Sequence, residues 1–147
     1  MPAFTGTRRV SEICERRLAQ RGPTDTDEAV FTQAFRDLDR VISTTALLSG
    51  TTAAIVVVRR NEYLSVNTGD SRSVLGSGGS ATRLSKDHKL DAEESERIIA
   101  AGGTITDGRV EGQLAIPRSL GDANLGEYVI PDPHGRAAHF CASKTFS

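Results

Sequence analysis

Three short motifs carry carboxylate or imidazole groups at positions suited to chemistry. Gly69-Asp70-Ser71-Arg72 puts a carboxylate in a tight turn after an expected strand, where it could help hold a hard cation. Asp87-His88-Lys89 sets an imidazole between charged neighbours, and Gly121-Asp122 is a second turn-borne carboxylate. An Asp in a turn more often hydrogen-bonds its own backbone, and a single loop histidine is usually solvated. Taken singly, these motifs do not assign a function.

Two further segments fail as known catalytic loops. Ser49-Gly50-Thr51-Thr52 has the composition of a nucleophile loop, but no histidine and acid pattern accompanies it. Gly76-Ser77-Gly78-Gly79 is followed by neither a lysine nor a helix, so it does not predict a phosphate-binding loop.

Composition restricts the class of protein. A chain of 147 residues with 37% hydrophobic side chains predicts one domain with a real core. The net charge of −1 gives no support to a nucleic-acid partner. The widely spaced Cys14 and Cys141 favour a reducing compartment. The longest apolar run, residues 53–58, is far too short for a bilayer span, and no signal peptide follows Met1. We therefore expect an intracellular domain, cytoplasmic or nuclear, without a membrane or nucleic-acid partner.

Periodicity predicts the elements that position these motifs. Apolar residues recur at helical spacing over residues 24–42, with Thr24 and Thr26 as candidate caps, and a weaker helix precedes them. Residues 51–58 are β-branched and apolar on both faces, which predicts a strand deep in a sheet. A turn at residues 59–62 leads to the next strand. The later segments comprise strands at 63–68, 73–75, 81–84, 104–105, 109–110 and 114–116, and a helix at 91–101.

The order of the motifs is more specific than any one of them. The chain contains, in this order, Ser49-Gly50-Thr51-Thr52-Ala53, the run from Leu64 through Gly69-Asp70-Ser71-Arg72, Leu84-Ser85-Lys86-Asp87-His88-Lys89, the segment from Glu96 to Gly103, and the segment from Arg109 to Asp122. Over about residues 27–133, this series resembles the middle of the metal-dependent protein phosphatase 2C (PPM-type) catalytic domain.

The resemblance implies an α+β fold, a partial α-β-β-α sandwich of antiparallel sheets flanked by helices, incomplete at both ends. The expected division is a partial phosphatase 2C-like domain over residues 1–133 and an unstructured or non-homologous tail over residues 134–147. The implied reaction is hydrolysis of phosphoserine or phosphothreonine in phosphoprotein substrates. Two Mg²⁺ or Mn²⁺ ions would activate the attacking water.

The family's paired metal ligands are missing from the sequence. No acidic residue precedes Glu12, and a gap-free alignment puts Ala3 and Thr5 where the family's Asp-Gly-His-Gly-Gly motif has Asp and His. The later Asp-Gly and Asp-Asn motifs do not occur after His134. Asp70 alone matches a metal position, that of an accessory third ion. No catalytic residue is assigned.

We therefore expect a phosphatase 2C-type serine/threonine phosphatase domain that is present as a central fragment and is inactive alone. One alternative is a pseudophosphatase that acts as a binding module. Another is a truncated gene model or a splice product, which the aperiodic tail favours.

Overall fold

The computed structural model describes residues 6–45, 48–59 and 62–139. Its helices and strands, in chain order, are α1 (Gly6–Ala19), α2 (Asp27–Thr45), β1 (Gly50–Thr51), β2 (Ala53–Arg59), β3 (Glu62–Thr68), β4 (Val74–Ser77), β5 (Ser80–Arg83), α3 (Ala92–Ala100), β6 (Ile105–Thr106), β7 (Arg109–Val110), β8 (Leu120–Gly121), a 3₁₀ helix (Ala123–Tyr128) and β9 (His134–His139). All strand pairs in the sheets are antiparallel, which makes the fold α+β.

The two N-terminal helices pack against each other, as their periodicity predicts. Thr26 Oγ1 accepts a hydrogen bond from the Ala29 N–H at 3.2 Å, and Asp27 and Glu28 lie in the first turn of α2. Negative side chains there stabilise the positive end of the helix dipole. The predicted helix is confirmed as α2, which continues to Thr45. Its buried face consists of Val30, Phe31, Ala34, Phe35, Leu38 and Ile42.

The helices cover one face of a three-stranded sheet with the order β2-β3-β9. In this sheet Ile55 lies opposite Val66, and Val57 lies opposite Leu64. These four side chains belong to the same hydrophobic cluster as the buried face of α2. The main core therefore lies between α2 and the sheet.

The expectation that both faces of β2 are buried is wrong. Exposure alternates along the strand, and Val56 and Val58 are 46% and 63% exposed. The helices cover the face that carries Ile55 and Val57. Within the described residues β2 pairs with β3 alone, so it is an edge strand. A β-branched run predicts a strand, but it does not reveal how many faces will be covered. Of the turn predicted next, residues 60–61 lie outside the described residues.

The predicted unstructured tail is wrong over β9. This strand pairs with β3 over its whole length, with Ala137 opposite Leu64. The segment has no apolar alternation, because it is built from histidine, arginine and small residues. Strand pairing uses backbone N–H and C=O groups, which every such residue supplies. Residues 140–147 lie outside the described residues.

A second, smaller core lies around α3. Asp91 caps this helix by accepting a hydrogen bond from the Glu94 N–H at 3.0 Å, as the acidic helix start predicts. The cluster consists of Ile98, Val110, Leu125 and Val129. The short strands predicted near residues 105 and 110 are confirmed as β6 and β7. The strand predicted at residues 114–116 is wrong, since Leu114 makes a single bridge to Val110.

Strands β4 and β5 form the predicted hairpin with a tighter turn than expected. Gly78 and Gly79 have φ of +55° and +74°, the left-handed region that a two-residue turn requires. The predicted loop covered residues 76–79, whereas the turn in the structure consists of these two glycines alone.

Two expectations from composition concern the membrane and the thiols. In the part of the chain that the structure describes, no helix is long and apolar enough to cross a membrane. Cys14 is buried in α1, and burial raises the pKa of its thiol to about 11. Cys141 lies outside the described residues.

Candidate functional site around the Asp70 turn

Asp70 lies in a turn at residues 69–72 (the Asp70 turn), directly after β3. Gly69 has φ of +82°, a conformation that favours glycine. A Cβ at Gly69 would also collide with the side chain of Thr52, the residue before β2. The exposed Asp70 therefore follows a position that glycine alone fits.

Side-chain contacts hold the rest of the turn. The hydroxyls of Ser71 and Thr52 are 2.6 Å apart and share a hydrogen bond. Arg72 Nη2 donates to Asp87 Oδ2 at 2.6 Å, and Arg83 also pairs with Asp87. Hydrogen bonds from Arg72 and Arg83 hold the pKa of Asp87 far below its usual range. Asp87 is therefore an ionised anchor for the turn at neutral pH.

His88 lies in the interior of the protein, although a loop histidine is usually solvated. Its side chain is 3% exposed, and its Nδ1 lies 3.0 Å from the Gly69 carbonyl oxygen. A carbonyl oxygen accepts hydrogen bonds, so Nδ1 carries the ring proton. Burial lowers the pKa of His88. The imidazole is thus neutral at neutral pH, and its Nδ1–H is hydrogen-bonded to the backbone of the Asp70 turn.

The Gly121-Asp122 motif closes the small sheet formed by β1 and β8. Ser119 Oγ donates to Asp122 Oδ2 at 2.6 Å, and the Gly121 N–H donates to Asp39 Oδ1 at 2.7 Å. Burial raises the pKa of Asp39. A Cβ at Gly50 would collide with the Asp122 carboxylate. These contacts give both Gly121-Asp122 and Ser49-Gly50-Thr51-Thr52 a structural role.

A buried carboxylate that the sequence did not single out, Glu94, joins α3 to the rest of the protein. It is 5% exposed and accepts hydrogen bonds from Nε of Arg97, at 2.9 Å, and from Nε of Arg118. We call these three residues the Glu94 cluster. The available signal was Asp91-x-x-Glu94, a capping-box pattern that marks a helix start. In the structure the glutamate carboxylate binds arginines.

The Glu94 cluster continues to α2. Arg118 Nη1 donates to the Asp132 carbonyl at 3.0 Å. The Asp132 carboxylate accepts two hydrogen bonds from Arg36, both at 2.8 Å. Hydrogen bonds from Arg36 lower the pKa of Asp132. Polar contacts through Arg118 and Asp132 thus connect α3 to α2.

The predicted carboxylates do not converge on one metal site. Asp87 pairs with arginines, Asp122 accepts from Ser119, and Asp70 is exposed. Over residues 6–45, 48–59 and 62–139, no group of three or more His, Cys, Asp and Glu side chains is arranged to hold a metal ion. Ala3 and Thr5 lie outside these ranges. The described residues therefore do not fit the two ions that the resemblance implies.

Comparisons with known proteins agree with the motif series. The family model for protein phosphatase 2C matches residues 5–146. Protein phosphatase 2C homolog 2 of Aspergillus fumigatus is 53% identical over 76 residues, which are 51% of this chain and 18% of that protein. Probable protein phosphatase 2C 30 of Oryza sativa subsp. japonica is 50% identical over 91 residues, 59% of this chain and 22% of that protein.

Solved structures share the fold. A sex-determining protein of C. elegans superimposes with a TM-score of 0.81 at 22% identity, covering 91% of this chain and 36% of that chain. A phosphatase from Toxoplasma gondii gives a TM-score of 0.59 at 18% identity, covering 93% of this chain and 56% of that one. The chain spans about a fifth of the length of the curated relatives described above. Because the family model matches nearly the whole sequence, the chain belongs to the protein phosphatase 2C family.

Proposed function

We propose that this chain is the central part of a metal-dependent phosphoserine and phosphothreonine phosphatase domain, and that the 147 residues alone do not hydrolyse phosphoesters. Family membership over residues 5–146 supports the reaction class. The single observation that supports inactivity is the shortage of metal ligands. Asp70 alone matches a metal-binding position of the family, and no described residue near it completes a three-ligand site.

The ligand count explains why one carboxylate is insufficient. Mg²⁺ keeps several of its waters in proteins and is usually bound through one or two carboxylates together with substrate phosphates, so Asp70 without a second protein ligand would hold it only weakly. Bound in pairs, such ions lower the pKa of a water and offset charge on phosphoryl oxygens. By the family resemblance, Asp70 would contribute a carboxylate to an accessory third ion.

The basic residues near the site do not replace the missing ions. Arg118 is bound to Glu94, and the neutral His88 is buried, so neither presents a positive charge to a phosphoprotein. Lys89 is exposed and remains available to attract a phosphate. Attraction to the ground state alone does not raise the chemical rate.

A second candidate is a pseudophosphatase that binds partners. The strand β9 favours this candidate. The argument for truncation assumed an aperiodic tail after residue 133, whereas residues 134–139 form a strand that extends the sheet. The full transcript sequence distinguishes the candidates. An in-frame Asp-Gly-His-Gly-Gly motif upstream, with Asp-Gly and Asp-Asn motifs downstream, would support the phosphatase domain, and a transcript without them would support the binding module.

Calorimetry with Mn²⁺ tests the ligand argument directly. We expect a dissociation constant of about 1 mM or weaker, as for a surface carboxylate, because so few ligands are present. Asp70→Asn should change this weak binding no more than the control Asp107→Asn, which alters another exposed turn carboxylate. A micromolar site that is abolished by Asp70→Asn would contradict the proposal.

A further inference from the structure

The carbonyl oxygen of Gly69 accepts hydrogen bonds from three donors. The His88 backbone N–H lies 3.1 Å away, the His88 Nδ1–H lies 3.0 Å away, and Asn67 Nδ2 lies 3.3 Å away. This oxygen shares one rigid peptide plane with the Asp70 amide. Whatever fixes the Gly69 oxygen therefore also fixes the direction in which the chain enters Asp70.

Asn67 places the donors in position. It is fully buried at the end of β3, and its Nδ2 donates to the Lys86 carbonyl at 2.7 Å. The Lys86 N–H in turn donates to Asn67 Oδ1 at 3.0 Å. This paired contact holds residues 86–88 beside the Asp70 turn. A Cβ at Gly69 would collide with Thr52, so the absence of a side chain lets the turn lie close to this residue.

The chemistry of a buried ring indicates why residue 88 is a histidine. An imidazole inside a protein loses its hydrogen bonds to water, which destabilises the fold unless a protein partner replaces them. An apolar side chain of similar size would fill the same space without that cost. The bond to Gly69 is the contact that an apolar replacement would lose.

We infer that His88 is a positioning residue, whose Nδ1–H bond to the Gly69 carbonyl sets the orientation of the peptide plane that presents Asp70. The inference rests on the proposed function, because Asp70 needs a defined position only if its carboxylate serves an ion. Its tests use this chain without turnover, so they can fail or succeed independently of the phosphatase proposal.

The first test is the tautomer of His88 in the unmodified chain. A long-range ¹H–¹⁵N NMR spectrum at neutral pH should show a neutral ring with the proton on Nδ1. A ring with its proton on Nε2 would overturn the inference. This measurement needs no variant, so it tests the hydrogen bond even where a substitution at residue 88 prevents folding.

The second test compares two substitutions at the same position. His88→Leu removes the donor, whereas His88→Asn keeps an N–H donor near the place of Nδ1. In His88→Leu the Lys86 amide should exchange with solvent about threefold to tenfold faster, as expected for the loss of one hydrogen bond. The residual dipolar coupling of the Asp70 N–H should change as well.

His88→Asn should restore both values. Rescue by asparagine separates the hydrogen bond from simple filling of space. An unchanged Asp70 coupling in His88→Leu would overturn the inference. Equal losses in the leucine and asparagine variants would overturn it too.

Discussion

Replacing Glu94 by glutamine should weaken the attachment of α3 to the rest of the protein. The Glu94 side chain is buried, and its carboxylate accepts hydrogen bonds from Arg97 and Arg118. Glutamine retains one acceptor oxygen, so one arginine keeps a partner. Its amide NH₂ group would face the other guanidinium. Both groups are hydrogen-bond donors, so no bond forms between them.

The magnitude follows from the exposure of the arginines. Removing one partner of a buried ion pair costs about 3–5 kcal/mol, and a hydrogen bond to a charged group contributes about 1.5–3 kcal/mol. The side chains of Arg97 and Arg118 are 26% and 19% exposed, so water compensates part of the loss. We expect the free energy of unfolding to fall by about 2–3 kcal/mol.

Glu93→Gln is the matched control for this experiment. Glu93 and Glu94 both lie in the first turn of α3, so both substitutions remove the same favourable charge from the helix N-terminus, about 0.3–1 kcal/mol. Urea unfolding of the chain and both variants at neutral pH gives the difference. Glu94→Gln should be less stable than Glu93→Gln by about 2 kcal/mol. Equal stabilities would refute the role assigned to the Glu94 cluster.

Three further predictions concern the cores and the pH dependence. Phe35→Ala should lower the free energy of unfolding by about 3–5 kcal/mol, because Phe35 is fully buried between α2 and the sheet, and an unchanged melting temperature would mean that the assigned helix face is wrong. Thr68→Val should raise stability by about 1 kcal/mol in urea unfolding, because within the described residues the buried Thr68 hydroxyl has no hydrogen-bond partner, and a loss of stability would show that it has one. Asp132→Asn should lower stability at pH 7 by about 0.5–1 kcal/mol, as for other exposed ion pairs, and the difference should disappear as the pH falls below about 4. The pKa of Asp132 is lower in the folded state than in the unfolded state. The stabilisation by its charge is therefore present above the unfolded-state pKa and is lost as the pH falls through the folded-state pKa. A difference in stability that persists at pH 2 would contradict this assignment.

Local patterns were sufficient for the elements whose partners lie close in sequence. The helical spacing of Phe31, Ala34 and Phe35 predicted both the existence of α2 and its buried face. The paired glycines 78 and 79 marked the hairpin turn. The Asp91 cap and the glycine pair at residues 102–103 marked the two ends of α3.

Properties set by distant parts of the chain were not predictable in this way. The strand β9 depends on the free edge of β3, which lies about 70 residues earlier, and nothing in its own composition indicates pairing. The exposed side of β2 depends on which segments cover the sheet. Neither the pairing of β9 nor the exposure of β2 can be predicted from the residues of the strand itself.

The candidate site shows the same division. The motif Gly69-Asp70-Ser71-Arg72 predicted that Asp70 follows a strand, and in the structure Asp70 lies in a bend directly after β3. The burial of His88 depends on a contact with Gly69, 19 positions away, and the Glu94 cluster joins residues 24 positions apart. Such polar contacts have no periodic signature, so a single sequence does not reveal them.

The measurement that tests the central claim most directly is turnover by the 147-residue chain. Phosphate-ester hydrolysis is extremely slow without a catalyst, and enzymes lower its barrier by roughly 20 kcal/mol. The chain should be incubated with a phosphothreonine peptide or p-nitrophenyl phosphate and about 5 mM Mn²⁺. We predict the same rate as in buffer with metal, for both the chain and Asp70→Asn. Metal-dependent turnover well above that of Asp70→Asn would contradict the account.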